Sequence, residues 1–403
     1  MIVAFVILAG AAGIALVIGV GPERREPVTP AAWAFDDNCI DGGGFQNVIA
    51  ADPHHEGSLL VGGDVSGFHR SSDGGDRWIT SNGNLFSGAD LVVNDIAFSP
   101  TREDVLYAAT GTRRSGGGFL ASLDGGRTWV PRSRAVTFGD DIEHPRATGN
   151  LIALERVGGT EYIYAGADQG IARSTDGGRS WTRLGLEGSV IRGLAIDPAR
   201  PGSLYVGTGD GAYRIDDARD GAAVEKLPEA PAAVEEFAVV GDGVYAAAGT
   251  DGIFRVLAGG ATWARLGGTF FPRGSTWSAI TGYVDRGGGH ALLTGAVDPQ
   301  PDARGNLRTI ARSLDGGTTW RWLTPARAVS HDVAGNGGTW WLSDSAAGGF
   351  MLGGRFFDVG QIVVDPSAPE NIWVAGRSGV WRSSDGGARW APAVDGLAVT
   401  LAW

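Results

Sequence analysis

The sequence contains very little cysteine and lysine. Cys39 is the only cysteine, which excludes an internal disulfide bond. Lys226 is the only lysine among 33 basic residues, and 45 acidic residues give the chain a net charge of −12 at pH 7. The basic residues form no cluster or stripe. The composition therefore argues against nucleic acid as a partner, because nucleic acids are bound by basic surfaces.

Residues 2–20 contain no charged side chain. An uncharged apolar stretch of about 20 residues is long enough to cross a bilayer as a helix. We therefore predict an N-terminal hydrophobic helix in residues 1–20, which is either a transmembrane anchor or a signal peptide. Residues 21–30 are polar and contain prolines, and residues 21–43 form the predicted tether. Both alternatives place the folded part outside the cytoplasm, in the periplasm or at the cell surface, and an anchor would put residues 2–20 in contact with the membrane.

A helical period is missing from the sequence after residue 20. The chain instead has 67 glycines, which separate short apolar runs. One pattern, Ser-x-Asp-Gly-Gly-x-x-Trp, occurs five times, at residues 71–78, 122–129, 174–181, 313–320 and 383–390. Each copy follows a short segment that begins with glycine and ends with arginine, such as residues 67–70. So specific a recurrence indicates a repeat protein.

The glycine-to-arginine segment also identifies two incomplete copies. Residues 211–214 lead to Asp217 without the serine, and residues 252–255 lead to Ala258 without the aspartate. The chain therefore has seven units, and their central positions are 41–70 residues apart. These positions are Asp73, Asp124, Asp176, Asp217, Ala258, Asp315 and Asp385.

Each unit is predicted to contain four short antiparallel strands, which we call A to D in chain order. Apolar runs bounded by Gly, Asp and Pro are typical of strands. Four-stranded repeats with glycine-rich turns are typical of the blades of a β-propeller, in which radial closure protects the strand edges. We therefore predict an all-β fold, a single seven-bladed propeller in residues 44–403 with insertions at 133–145, 268–276 and 326–357. The predicted blades are residues 44–82, 92–133, 146–186, 190–228, 233–268, 276–325 and 358–396, and the apolar tail 397–403 is predicted to help close the ring.

The repeated octapeptide resembles the Asp-box, or BNR repeat, of sialidases, sortilin-type receptors, xyloglucanases and the photosystem II assembly propellers. The resemblance covers nearly the whole folded part and implies the propeller fold, whereas the functions within this group differ. In such a turn the aspartate accepts hydrogen bonds from backbone N–H groups, and the tryptophan covers the hairpin. We therefore interpret five aspartates as structural and not catalytic: Asp73, Asp124, Asp176, Asp315 and Asp385.

The topology of a blade divides its loops between two faces of the propeller. The A–B and C–D turns, which include the octapeptides, share one face, which we call the octapeptide face. The B–C turns and the D-to-A crossings share the other, which we call the crossing face, and all three insertions lie there. Binding residues concentrate on such loops. The binding candidates are Asp168, Asp210, Asp251 and Arg377 from B–C turns, Asp140, Asp141 and His144 from the first insertion, Arg273 from the second, and Trp340 and Trp341 from the third.

Two segments are similar to xyloglucanases in particular. Residues 42–45 (Gly-Gly-Gly-Phe) and 60–67 (Leu-Val-Gly-Gly-Asp-Val-Ser-Gly) resemble the start of the first of their two propellers. The resemblance implies that Asp64 is a general base. It also implies a general acid from a second propeller, whereas this sequence contains one. Glycoside hydrolysis needs two carboxylates about 5–9.5 Å apart, and Asp168 or Asp140 would be the partner here.

No metal or cofactor site is predicted. Asp140, Asp141 and His144 lie in an acidic loop whose oxygens could bind calcium, but no specific calcium motif is present and we interpret the loop as solvated. Trp340 and Trp341 are adjacent, so that on a strand they would point in opposite directions. One of them could then form an exposed platform for a sugar or a protein.

These patterns favour a binding function over an enzymatic one. We expect an extracytoplasmic, membrane-tethered binding or scaffold module whose crossing face recognises a protein partner, such as a membrane complex, or a glycan. The alternative is a glycoside hydrolase of the xyloglucanase-like group with Asp64 as general base.

Overall fold

The described part of the chain forms seven four-stranded blades arranged around one axis. A computed structural model describes residues 46–112, 116–138, 149–221, 223–257, 262–298, 306–323, 327–328, 359–365, 367–376 and 379–397. Within these residues the chain forms seven four-stranded antiparallel sheets, each with its strands in chain order, and one two-stranded sheet. The prediction of an all-β, seven-bladed propeller is confirmed. The predicted N-terminal helix and tether, Ala258 and tail residues 398–403 lie outside the described residues.

The strands have the following bounds. The A strands are β1 (Gln46–Ala51), β5 (Val93–Phe98), β9 (Ile152–Val157), β13 (Ile191–Ile196), β17 (Glu236–Val240), β21 (Thr276–Val284) and β27 (Val359–Val364). The B strands are β2 (Leu59–Gly63), β6 (Leu106–Thr112), β10 (Thr160–Ala167), β14 (Leu204–Thr208), β18 (Gly243–Ala247), β22 (His290–Asp298) and β28 (Ile372–Gly376). The C strands are β3 (Phe68–Ser71), β7 (Gly116–Ser122), β11 (Gly170–Ser174), β15 (Gly211–Asp216), β19 (Ile253–Val256), β24 (Ile310–Ser313) and β29 (Gly379–Ser383). The D strands are β4 (Ile79–Thr80), β8 (Val130–Ser133), β12 (Thr182–Gly185), β16 (Ala223–Lys226), β20 (Trp263–Arg265), β25 (Arg321–Trp322) and β30 (Ala391–Pro392).

Small residues near the ends of the B strands allow neighbouring blades to pack closely. In the first blade, a Cβ atom at Gly62 would lie 2.4 Å from a methyl carbon of Val93 on the next A strand. The same relation holds between Gly166 and Ile191, where the distance would be 2.5 Å. Glycine is required at these positions because the next blade occupies the space of a side chain. The hydrophobic core accordingly lies between blades. In the first blade, every residue of the B strand β2 is buried.

Polar side chains at the axis also join the A strands of neighbouring blades. Asp95 of the second blade accepts the N–H of Ile152 in the third blade at 2.8 Å. Glu236 of the fifth blade accepts the N–H of Ile280 in the sixth at 2.7 Å. The A strand β5 has a register shift just before Asp95, and such a bulge changes the direction of the following side chain.

The ring closes through contacts between the last blade and the first. Gln361 on β27 accepts the N–H of Ile49 on β1 at 3.0 Å. Farther from the axis, the indole N–H of Trp78 donates to the carbonyl of Ala393 at 2.8 Å, and its backbone N–H donates to the carbonyl of Asp395 at 2.8 Å. These bonds join segments more than 300 residues apart in the sequence.

One small element was not predicted from the sequence. Strand β23 (Asn306–Leu307) pairs with β26 (Arg327–Ala328), at the start of the third insertion. Each strand has only two residues, which is too short for a periodic signal. No helix in the described part of the chain is long and apolar enough to cross a membrane.

Candidate functional site

Asp64 lies on the crossing face, in the turn between β2 and β3 of the first blade. The N–H of Gly63 donates to the carbonyl of Gly67 at 2.9 Å and closes the turn. Gly67 has a φ of 71°, in the left-handed region that favours glycine. Asp64 is 6% exposed. A closed turn therefore fixes the backbone of Asp64, whose side chain is buried.

The crossing from the first to the second blade, residues 81–92, is bonded to this turn. The side chain of Asn82 accepts the N–H of Phe68 at 2.7 Å and donates to the carbonyl of Ser66 at 2.6 Å. The N–H of Gly67 donates to the carbonyl of Leu91 at 3.0 Å, at the end of a short 3-10 helix, Gly88–Leu91. The turn with Asp64 and this crossing therefore form one hydrogen-bonded unit.

Asp90, in the same 3-10 helix, forms an ion pair with Arg134 at the start of the first insertion. The Nη2 atom of Arg134 lies 2.7 Å from Oδ2 of Asp90, and Nη1 bonds to Oδ1, so that the pair has two parallel bonds. Asp90 is buried, whereas the side chain of Arg134 is 47% exposed. A buried carboxylate requires such a partner. This pair could not be predicted from the sequence, because neither residue is part of a repeated pattern.

The described part of the first insertion continues to the turn that carries Asp168. The carbonyl of Thr137 accepts the N–H of Asp168 at 2.9 Å, and its hydroxyl accepts the side chain of Gln169 at 2.5 Å. Val136 and Phe138 are buried in the core between the second and third blades. Residues 133–138 of the insertion therefore lie against both blades and connect the neighbourhood of Asp90 with that of Asp168.

Asp210 and Asp251 lie in B–C turns and are bonded within their own surroundings. Asp210 accepts the hydroxyl of Thr208 at 2.5 Å and that of Tyr213 at 3.0 Å. The bond from Thr208 is the main cause that lowers the pKa of Asp210 below its ordinary value. Asp251 accepts the N–H of Ala232 at 3.1 Å. Asp210 therefore stabilises its own blade, and Asp251 joins its turn to the crossing that precedes the fifth blade.

The second insertion exposes Arg273 and buries an aromatic anchor beside it. The ring centroid of Phe271 lies 4.6 Å from that of Trp277, and Phe270 stacks on Trp322 with centroids 4.6 Å apart. The anchor fixes the insertion in the core between the fifth and sixth blades. Arg273 is exposed on this fixed loop.

Six predicted binding residues lie outside the described residues. They are Asp140, Asp141, His144, Trp340, Trp341 and Arg377.

The octapeptide turns bind their aspartates tightly. In the third blade the hydroxyl of Ser174 donates to Oδ1 of Asp176 at 2.8 Å, and Oδ1 also accepts the N–H of Ser180 at 2.9 Å. The indole N–H of Trp181 donates to the carbonyl of Gly178 at 3.0 Å. Burial acts to raise the pKa of Asp176, but the bond from the Ser180 hydroxyl and the further donors outweigh it and lower the pKa to about 2.

The other four complete octapeptides repeat this arrangement. In each, the serine hydroxyl donates to the aspartate two residues later, at 2.7–3.0 Å. The aspartates concerned are Asp73, Asp124, Asp315 and Asp385. In each, Oδ1 of the aspartate also accepts the backbone N–H four residues later, so that the carboxylate stabilises its own turn.

Two carboxylates that the sequence analysis did not select lie at the axis. Burial raises the pKa of Asp95 to about 6, although the N–H groups of Ile152, Leu151 and Ile96 act to lower it. Burial also raises the pKa of Glu236 well above its ordinary value, and the charge of Asp95 adds to this effect. The signal in the sequence that could have identified them was an acidic residue within an otherwise apolar A strand. Since each accepts backbone N–H groups, we interpret both as structural.

The candidate site therefore lies on the crossing face. It contains Asp64 and the Asp90–Arg134 ion pair, which belong to one hydrogen-bonded region. In the described part of the chain, no group of three or more His, Cys, Asp or Glu residues could hold a metal ion. The available chemistry is that of carboxylates and a guanidinium, which bind hydroxyl groups well.

The chain is similar to xyloglucanases in sequence. No protein-family model matches it. It is 28% identical over 218 residues to the oligoxyloglucan-reducing-end-specific xyloglucanase of Emericella nidulans, covering 51% of this chain and 26% of that enzyme. It is 25% identical over 407 residues to a xyloglucanase of Hypocrea jecorina, covering 94% of this chain and 41% of the enzyme. The chain thus spans less than half the length of these curated relatives.

Solved structures show the same propeller fold. The GH74 xyloglucanase from Xanthomonas campestris superposes with a TM-score of 0.69 at 20% identity, covering 88% of this chain and 55% of that one. YCF48 bound to D1 peptide has a TM-score of 0.52 at 15% identity, covering 87% of this chain and 94% of that one. At these identities the likeness concerns the fold alone.

Proposed function

We propose that this propeller is a glycoside hydrolase-type domain that acts on a β-glucan of the xyloglucan class, with Asp64 as its general base. The sequence similarity to xyloglucanases over most of the chain carries the proposal. The position of Asp64 supports it, because a base must be held in place by a rigid turn. The enzymatic role thus takes precedence over the binding role that the sequence alone favoured.

The chemistry requires two carboxyl groups with different protonation states. A general base activates water on one side of the sugar, while a protonated carboxylic acid donates a proton to the leaving oxygen on the other side. Enzymes of this kind have carboxyl groups about 6.5–9.5 Å apart. Asp64 would be the base. The acid would come from Asp168, from Asp140 or from a region that corresponds to the remaining length of the relatives.

Measurement of hydrolysis tests the proposal. We expect the full chain to release reducing ends from xyloglucan or a related β-glucan, and Asp64→Asn to lower kcat by about 10²–10⁴-fold, the usual effect of a general base. Asp210→Asn is the matched control, because it removes a carboxylate from the same face that is bonded within its own blade. Equal rates for wild type and Asp64→Asn would exclude the catalytic role. Failure to bind or cleave any β-glucan would exclude the glycan function.

A docking function for a protein partner is the second candidate. YCF48 bound to D1 peptide is a propeller of similar extent, since the match covers 87% of this chain and 94% of that one. A module of this kind would act outside the cytoplasm, tethered by residues 2–20, and bind a membrane complex at its crossing face. Pull-down from solubilised membranes with the full chain tests this function. We expect one stoichiometric partner, and recovery of a monomer alone would contradict it.

A further inference from the structure

Phe86 is a large apolar side chain that lies almost completely in solvent. It is 94% exposed, the highest value among the exposed large hydrophobic residues of the described chain. The residue belongs to the crossing from the first to the second blade and so lies on the crossing face. The preceding residue, Leu85, packs against the core between these blades. The chain therefore anchors itself with one side chain and presents the next to solvent.

The segment that carries Phe86 is fixed on both sides. Asn82 bonds to the first blade, through Phe68 and Ser66. Asn84 accepts the N–H of Trp129 in the second blade at 3.1 Å and donates to its carbonyl. An exposed aromatic ring on a segment held in this way loses little conformational freedom when it binds a ligand.

The polar groups that adjoin this segment belong to the candidate site. The bonds from Asn82 to Ser66 and from Gly67 to Leu91 connect the segment directly to the turn with Asp64. Arg134 uses two donors on Asp90 and is 47% exposed, so that further donors of its guanidinium can reach solvent. The face therefore combines one apolar ring with charged hydrogen-bonding groups whose charges are paired.

A pyranose ring has the complementary chemistry. Its C–H groups form an apolar face that stacks on an aromatic ring, and its hydroxyl groups accept and donate hydrogen bonds at the edge. The charge of Asp90 is paired with that of Arg134, so that this pair offers no net charge to an ionic ligand. We propose that Phe86 is a stacking platform for one pyranose ring of the β-glucan bound at the Asp64 site. This inference rests on the proposed glycan function and names a residue that recognises the sugar.

Calorimetric titration with xyloglucan oligosaccharides and cellohexaose tests the platform. We expect Phe86→Ala to weaken binding about tenfold, as is typical when one stacking contact is lost, and Phe86→Trp to bind at least as tightly as wild type. Leu123→Ala is the matched control: Leu123 is also an exposed large hydrophobic residue, at 57%, but it lies in an octapeptide turn on the opposite face. Its affinity should equal that of wild type. The melting temperature of all three variants should stay at the wild-type value, because no buried contact is removed.

The possible results separate this inference from the proposed function. If wild type binds and Phe86→Ala binds equally well, the platform is wrong and the glycan function stands. If Phe86→Ala and Leu123→Ala weaken binding equally, the effect is not local and the platform is also wrong. If wild type binds none of the sugars, the glycan function fails, and the platform fails with it.

Discussion

Gln361 on the last blade accepts the backbone N–H of Ile49 on the first blade at 3.0 Å, across 312 residues of sequence. This bond closes the ring at the axis, where both groups are buried. Asp95 and Glu236 make the equivalent bond at two other junctions. A neutral amide therefore occupies the junction between the last and the first blade, while carboxyl groups occupy the junctions between the second and third and between the fifth and sixth blades.

Replacement of Gln361 tests the importance of this bond. Gln361→Leu leaves the N–H of Ile49 without its acceptor in a buried place, and we expect the free energy of unfolding to fall by about 1–3 kcal/mol. Chemical denaturation measures the change. Gln361→Glu is the control, since its protonated side chain keeps the acceptor at low pH. It should resemble wild type near pH 4 and become less stable near pH 8, and equal stability of Gln361→Leu and wild type would contradict the role.

The carboxyl group of Asp95 should make the stability depend on pH. Burial raises its pKa in the folded state from 3.8 to about 6, so that the folded protein binds more protons than the unfolded chain between these values. The stabilisation from this group is complete below about pH 4 and is lost as the pH rises to about 6. The loss is on the order of 3 kcal/mol, because each pKa unit corresponds to about 1.4 kcal/mol.

Asp95→Asn removes this titration while keeping an oxygen acceptor. The difference in unfolding free energy between wild type and Asp95→Asn, measured from pH 4 to pH 7, should shift in favour of the variant as the pH rises. Asp210→Asn is the control: hydrogen bonds lower the pKa of Asp210, so its contribution is complete above about pH 4 and the difference between this variant and wild type should stay constant from pH 4 to pH 7. Parallel pH profiles for wild type and Asp95→Asn would contradict the raised pKa.

The octapeptide aspartates should affect stability and not activity. Asp176→Asn loses the acceptor of the Ser180 hydroxyl and should destabilise the protein by about 0.5–2 kcal/mol, the usual range for a lost capping side chain. Asp217→Asn is the control in an incomplete copy, where backbone bonds from residues 220 and 221 to the carbonyl of Asp217 hold the turn. Thermal denaturation and the glycan assay of both variants measure the two effects. A loss of activity in Asp176→Asn at unchanged stability would contradict the structural interpretation.

The ion pair between Asp90 and Arg134 should couple the first insertion to the crossing. Arg134→Met leaves the buried Asp90 without its cation, and we expect a loss of about 1–3 kcal/mol in the free energy of unfolding. The double variant Asp90→Asn with Arg134→Met should recover part of this loss, because the uncompensated charge is gone. A double-mutant cycle measures the coupling. Strictly additive effects would show that the two side chains do not interact.

The sequence was sufficient to predict the propeller because each blade carries its own local signals. The octapeptide marks the C–D turn, and the glycine-to-arginine segment identifies the incomplete copy at Asp217. These signals depend on neighbouring residues within one blade. The number of blades and the division into two faces follow from them directly.

The contacts between blades were not predicted. Gln361 and Ile49 are adjacent only because the ring closes, and no local pattern marks Asp90 or Arg134 as partners. Phe86 looked like any apolar residue in a loop, since its exposure depends on how Leu85 and Asn84 orient the segment. Such relations depend on three-dimensional packing and have no period in the sequence.

The axial bonds have a consequence for the dynamics of the ring. The amide hydrogens of Ile49, Ile152 and Ile280 are each covered by a side chain from the preceding blade, and not by a strand of their own sheet. Exchange of these hydrogens with solvent deuterium therefore requires two blades to separate, even when every sheet remains intact. The exchange rate of the Ile49 amide in particular reports the separation of the first and last blades. It therefore distinguishes local opening of the ring from global unfolding.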